Sequence, residues 1–247
     1  MSLLVDWQIR ELVEKGALGI EPFEPRPVRH APPRDDSAEP YRVVSYGLSS
    51  AGYDLRLSDE VFVYDAAYPG EIDVKAFEER ALRRLPVQED QPGRGRYVIF
   101  PPGAVGLARA YERLRMPRDL LATCVGKSTY ARAGVLVTIT PVEPEWEGYL
   151  SFQIYNTLPA PVRIYVEEGI AQLLFHRTEA LCETSYADKG GKYQAQGKGV
   201  TPACSAPRGA NWQTHQPLVP SCYCRGATRT KGVQTRSLAT NHNGDHR

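Results

Sequence analysis

No run of about 18 apolar residues occurs in this chain of 247 residues, so no transmembrane helix is expected. Charge of one sign is missing too: 30 Lys and Arg stand against 29 Asp and Glu, a formal net charge of +1. That balance gives no reason to expect nucleic acid or a membrane as a partner. The start, MSLLVDWQIRELVEKG, meets acidic residues too early for the apolar stretch of a secretory signal, and a cytoplasmic location is the expectation. Five cysteines do not form a disulfide framework. Cys124 and Cys182 lie in or beside strand-like sequence and read as buried thiols. Cys204, Cys222 and Cys224 fall towards the C-terminal end, and Cys222-x-Cys224 has the wrong spacing for a four-ligand zinc site.

What is present is ordinary globular composition, 42% hydrophobic and 24% charged. Residues 6 to 16 have the pattern of a helix, with Asp6 as N-cap, an apolar stripe of Ile9, Leu12 and Val13, and Gly16 as the stop. EPFEPRPVRHAPPRDD follows, too rich in proline for regular structure, and completes an N-terminal helix-and-arm region over 1–40. From Tyr41 to about Phe175 short strand-like runs dominate, including GYDLRLSDEVFVY, RYVIFPPGAVGLARA, LLATCVG, GVLVTIT, GYLSFQIYN and IAQLLFHR. Their spacing predicts a mainly β chain, a compact barrel or jelly roll rather than alternating β-α units. FEERALRRL, Phe77 to Leu85, reads as a helical insertion. Residues 201–247 have no sustained period of 2 or 3.6 and read as a flexible tail.

Two stretches carry chemistry. In GKSTYARAG, Gly126 to Gly134, a glycine, a cation and two hydroxyls follow an apolar strand, a set suited to a phosphate. It is not the P-loop GxxxxGK[ST], because Leu121 stands where the earlier glycine belongs. The plainer alternative is a strand-to-helix connection capped by Ser128 or Thr129. In GYLSFQIYN, Gly148 to Asn156, Leu150, Phe152 and Ile154 share one face of a strand, which leaves Gln153 on the other.

GLSSAGYDLRL, GKSTYARAG, TPVEPEWEGYLSFQIYN, EEGIAQLLF and ETSYADKGGKYQAQGKG occur in that order. Together, over roughly Val43 to Val200, they resemble the dCTP deaminase branch of the trimeric dUTPase superfamily. The resemblance implies a distorted, dUTPase-like β-barrel over 41–200, assembled as a homotrimer with active sites between subunits and a nucleotide lid at about 183–200. It implies hydrolytic deamination of dCTP to dUTP and ammonia without zinc, and the H-x-E and P-C-x-x-C elements of zinc deaminases are missing here. Mg²⁺ would ride on the triphosphate, with no metal ligands from the protein. The ligand would be a deoxynucleoside triphosphate, with dCTP first and dUTP and dTTP as the other candidates.

Residue by residue, Lys127, Ser128 and Thr129 resemble the phosphate-contacting turn, with Ser128 also near the base and attacking water. Arg132 resembles the arginine that supports the polar network of the site. Thr138 to Pro141 would offer the backbone edge that reads the base, and Glu143 would lie near the sugar. Tyr186, Lys192, Tyr193 and Gln196 fall on the lid motif. Trp146 reads as a packing residue, and Asp54 and Arg56 of the GYDLR segment as structural, paired with each other or with a neighbour.

One position departs from the family pattern. The deaminases keep a catalytic glutamate three residues before the asparagine that Asn156 matches, and here that position is Gln153. A general base must bind a proton in the transition state. An amide has no site that titrates near neutrality. Three readings follow: a deaminase of weak activity or with its proton acceptor elsewhere, a dUTP or dCTP diphosphatase with Glu143 as base, and a deoxynucleotide binder without turnover. The first matches the most segments. Glu143, Glu145 and Glu147 are the nearby carboxylates, on one face if that stretch is extended.

Overall fold

The computed structural model describes residues 2–31, 40–89 and 94–203. Strands arise where β-branched and aromatic residues alternate between turn signals. In chain order they are β1 (Ser2–Leu3), β2 (Gly19–Glu21), β3 (Val28–Ala31), β4 (Tyr41–Leu48), β5 (Tyr53–Tyr64), β6 (Leu82–Arg84) and β7 (Tyr97–Phe100). They continue as β8 (Val105–Arg115), β9 (Leu120–Gly126), β10 (Val135–Thr138), β11 (Glu147–Asn156), β12 (Val162–Tyr165) and β13 (Gly169–Arg177). Two short helices accompany them, α1 (Asp6–Glu14) and α2 (Ser128–Arg132).

The long strand β5 shows how the sheet curls. Its first residues pair with β4 and β13, and its later ones with β8 and β6, so one strand serves two sets of neighbours. The register shifts between Leu57 and Val61 against β8, and between Gly169 and Ala171 where β13 meets β5. Irregularities of this kind bend a strand and raise its local twist. The result is an antiparallel sheet of 11 strands with the central order β1-β13-β5-β8-β11-β10, beside a separate β7–β12 ribbon. The expectation of a mainly β, distorted barrel holds.

Tyr53, Phe100, Phe152 and Phe175 are the largest fully buried side chains of a single apolar core, each worth about 1.5–3 kcal/mol of burial. Leu4, Ile9, Leu18 and Ile20 from the N-terminal region belong to that same core. Inside the sheet Glu112 is fully buried and accepts from Arg56 Nε at 2.6 Å and from the Arg56 amide at 3.0 Å. Burial raises the Glu112 carboxyl above its usual range, and Arg56 opposes that shift. The guanidinium also lies between the rings of Tyr46 and Tyr111, at 4.7 and 4.4 Å.

Several sequence expectations need correction. Val5, not Asp6, is the residue before the first turn of α1; its N–H donates to Gln8 Oε1, and Asp6 accepts from the Trp7 amide. The proline-rich stretch is not wholly irregular, because β3 lies within it and pairs with β4. FEERALRRL is not a helix: it holds one 3-10 turn, Glu79–Ala81, and then β6. A segment that short is a marginal helix by itself, and pairing with Phe62–Tyr64 of β5 satisfies its backbone instead. Neither Ser128 nor Thr129 caps α2; the capping position is Lys127, without a side-chain cap bond. Cys124 packs against the core, and burial pushes its thiol up to about 12. Cys182 is half-buried, while Cys204, Cys222, Cys224 and all of 204–247 lie outside the described residues.

Candidate active site

Strand β11 is half wall and half core. Leu150, Phe152 and Ile154 are buried, whereas Ser151, Gln153 and Tyr155 face the other way. Gln153 pairs across the sheet with Thr138 of β10 and with Leu107 of β8. Its Oε1 accepts from the Tyr155 hydroxyl at 2.6 Å and from Thr138 Oγ1 at 3.4 Å.

In front of that face lies a cavity of about 590 Å³, large enough for a small-molecule ligand. Thr138, Pro141, Glu143, Gln153, Tyr186, Tyr193 and Gln196, all named from the sequence, line it together. Leu107, Val142, Trp146 and Leu150 supply apolar wall, and Tyr64 and Ser151 add hydroxyls. Lys127, Ser128, Thr129, Arg132 and Lys192 are not among its lining residues.

The C-terminal segment of 183–200 closes one side of this cavity through bonds to its own chain. The Trp146 indole donates to the Tyr193 carbonyl at 2.8 Å, and the amides of Tyr149 and Ala195 donate to Gln196 and Glu147. Gly148 makes the close approach possible. Its φ is +138°, and a Cβ there would sit 2.5 Å from the Gln196 nitrogen. Glu145 and Ala195 also take positive φ, 61° and 56°, at this junction. Residues held in such regions persist where the surroundings enforce them.

Arg118 fastens the segment. It donates to Glu145 at 2.8 Å, to Asp188 at 2.7 Å and to the carbonyls of Cys182 and Glu183. The Ser185 amide and then Arg118 hold the Asp188 carboxyl below its usual value of 3.8. Lys189 pairs with Glu143, and Arg113 with Glu147. The three glutamates near Trp146 therefore do not form one face. Each meets a different cation, because the turn at Glu145 interrupts the extended run.

The GKSTYARAG loop lies elsewhere, between β9 and β10. Lys127 donates to Asp54 Oδ2 at 2.6 Å, with the two side chains only 10% and 13% exposed. Burial raises the Asp54 carboxyl, and Lys127 counters it. So Asp54 and Arg56 do not pair with each other; Lys127 and Glu112 take them. Tyr130 anchors α2 in the core, and its hydroxyl accepts from the Tyr165 amide. Ser128, Thr129 and Arg132 are exposed, as are the flanking Val125 and Leu136 at 38% and 48%. Asn156 is structural: its side-chain amide donates to the carbonyls of Pro101 and Ala160, both at 2.8 Å. Trp146 packs as expected, at 5% exposure.

The dCTP deaminase-like family profile matches residues 3–178, more than half of the chain. The chain belongs to the dCTP deaminase-like family. A dCTP deaminase of Alcanivorax borkumensis is 46% identical over 195 residues, 79% of this chain and 94% of that protein. A dCTP deaminase of Acidobacterium capsulatum is 47% identical over 196 residues, 79% of this chain and 96% of its own length. Among solved structures, the 2'-deoxycytidine 5'-triphosphate deaminase of Agrobacterium tumefaciens overlaps with a TM-score of 0.47 at 18% identity. That overlap covers 73% of this chain and 49% of the other.

Two contributors to the candidate site escaped the sequence reading. Tyr155 was within reach, since period-two spacing puts it beside Gln153 on the same face. Arg118 left no local signal, because its partners lie 27 to 70 positions away.

Proposed function

We propose that this chain is a dCTP deaminase acting as a homotrimer in the cytoplasm, with a turnover held down by Gln153. The observation that carries the reading is the separation of two half-sites. One chain gathers Thr138, Pro141, Glu143, Gln153, Tyr186, Tyr193 and Gln196 around a cavity. The same chain leaves Ser128, Thr129 and Arg132 exposed on another surface, flanked by exposed Val125 and Leu136. A second copy that buries those apolar residues would bring its loop to the first copy's cavity.

In this arrangement the cytosine lies against the Thr138–Pro141 edge with C4 at Gln153, and the lid segment covers the nucleotide. Ser128 and Arg132 of the second copy approach the base and the attacking water. Water adds to C4 as one of its protons passes to N3. The second proton passes from the new hydroxyl to the C4 amino group, the C4–N bond breaks, ammonia leaves and the C4 carbonyl forms. A carboxylate at position 153 would carry these protons. Gln153 orients the water and leaves the transfer to solvent, at a cost of about 10²–10⁴ in rate.

Lys127, held by Asp54, shapes the loop and presents its charge to the triphosphate from there, beside Thr129, with Lys192 adding charge from the lid. Among the described residues no group of three or more His, Cys, Asp or Glu is placed to hold a metal ion. Mg²⁺ would be carried by the nucleotide phosphate oxygens, where it would spread the phosphate charge.

The test is incubation with dCTP and Mg²⁺, following ammonia and dUTP. Slow ammonia release is expected, rising about 10²–10⁴-fold in Gln153→Glu. Folded wild type and folded variant that both release none would overturn the reading.

A further inference from the structure

Gln153 also has a direction. Both hydroxyls beside it meet its Oε1, Tyr155 at 2.6 Å and Thr138 at 3.4 Å. A phenol donates strongly and accepts weakly, because its lone pair is drawn into the ring, so it holds the carbonyl end of an amide rather than the NH₂ end. Nε2 makes no hydrogen bond among the described residues, and it is not among their buried, unpartnered polar atoms. The cavity wall at position 153 therefore presents N–H donors. A carboxylate there would present only acceptors.

A pyrimidine declares itself at C4. Cytosine carries an amino donor there, and uracil carries an oxygen acceptor. We infer that Gln153, oriented by Tyr155, makes this a site that holds 4-oxo pyrimidine deoxynucleotides more tightly than 4-amino ones. The inference rests on the pyrimidine nucleotide site proposed above, with C4 at Gln153. Its amide would donate to O4 of uracil, whereas against cytosine it would set two donors face to face. One consequence is that the dUTP formed by deamination stays bound, and the chain doubles as a dUTP-holding protein.

The apolar wall does not distinguish the two bases, because Leu107, Val142 and Leu150 meet a ring that differs only at C4 and N3. The choice therefore falls on the polar residues of β10 and β11. Tyr155 is a positioning residue in this account, since it acts through Gln153 and not on the nucleotide.

The test is calorimetric titration of the full chain with dCTP and with dUTP, each with Mg²⁺ and at low temperature to suppress turnover. Wild type is expected to bind dUTP about tenfold more tightly than dCTP, the scale of one hydrogen bond gained or lost. Gln153→Glu is expected to reverse the order. Tyr155→Phe, which keeps the ring, frees the amide to turn and should bring the ratio towards one. A purely structural tyrosine would change both affinities alike. Wild type binding dCTP as tightly as dUTP, or more tightly, would overturn the inference while leaving the nucleotide site standing. No binding of either nucleotide by folded protein would overturn the site reading, and this inference with it.

Discussion

On and beside the cavity wall, polar side chains are held by their own chain: on it Gln153 by Tyr155 and Thr138 and Glu143 by Lys189, and next to it Glu145 by Arg118 and Glu147 by Arg113. On the GKSTYARAG loop the backbone is fixed just as firmly, through Tyr130 in the core and Lys127 on Asp54, yet Ser128, Thr129 and Arg132 face outwards. The wall is preorganised towards a cavity in the same chain, whereas Ser128, Thr129 and Arg132 of the loop meet no side-chain partner among the described residues. Rigid elements that present exposed polar groups are what a shared site needs from each partner, because both halves must be in place before they meet.

The sharpest contrast lies inside the loop itself. Lys127→Met would leave Asp54 buried without its cation and should destabilise the folded chain by about 3–5 kcal/mol, read from denaturant unfolding. Arg132→Ala, at an exposed position, should leave unfolding within about 0.5 kcal/mol of wild type. In a Gln153→Glu background the same Arg132→Ala should cut dCTP deamination by about 10²–10³. If Lys127→Met were stable, the division of that loop into anchor and reagent would be broken.

On the wall side, Gly148→Ala puts a Cβ against the Gln196 backbone at a φ of +138°. It should cost about 1–3 kcal/mol, seen first as faster amide exchange over 183–200. A smaller effect is expected from acid. Because the folded Asp188 carboxyl titrates below its usual 3.8, its pairing with Arg118 is complete above that value and is lost as the pH falls below it. Proteolysis of 183–200 should accelerate over that low range, and Arg118→Ala should show the same acceleration already at neutral pH.

The wall was more legible in the sequence than its fastenings. Alternation in GYLSFQIYN placed Leu150, Phe152 and Ile154 in the core and Gln153 outside it, because a strand's period is local. Thr138, Pro141, Glu143, Tyr186, Tyr193 and Gln196 were reached through resemblance and line one cavity, whereas Lys192, reached the same way, does not. The pairs Asp54–Lys127, Arg56–Glu112 and Arg118–Asp188 join residues 56 to 73 positions apart, and no periodicity encodes such a match. FEERALRRL misled for a related reason: its composition favours a helix, but a partner strand elsewhere in the chain decided its state.

The central claim is that one chain supplies the wall and another the loop. It is tested most directly by co-expressing wild type with a chain carrying both Gln153→Glu and Arg132→Ala. Wild type lacks the carboxylate but has the arginine, and the double variant has the reverse. Mixed assemblies are predicted to deaminate dCTP well above the sum of the two proteins assayed apart. Mixed assemblies that form and yet work no faster than that sum would contradict it.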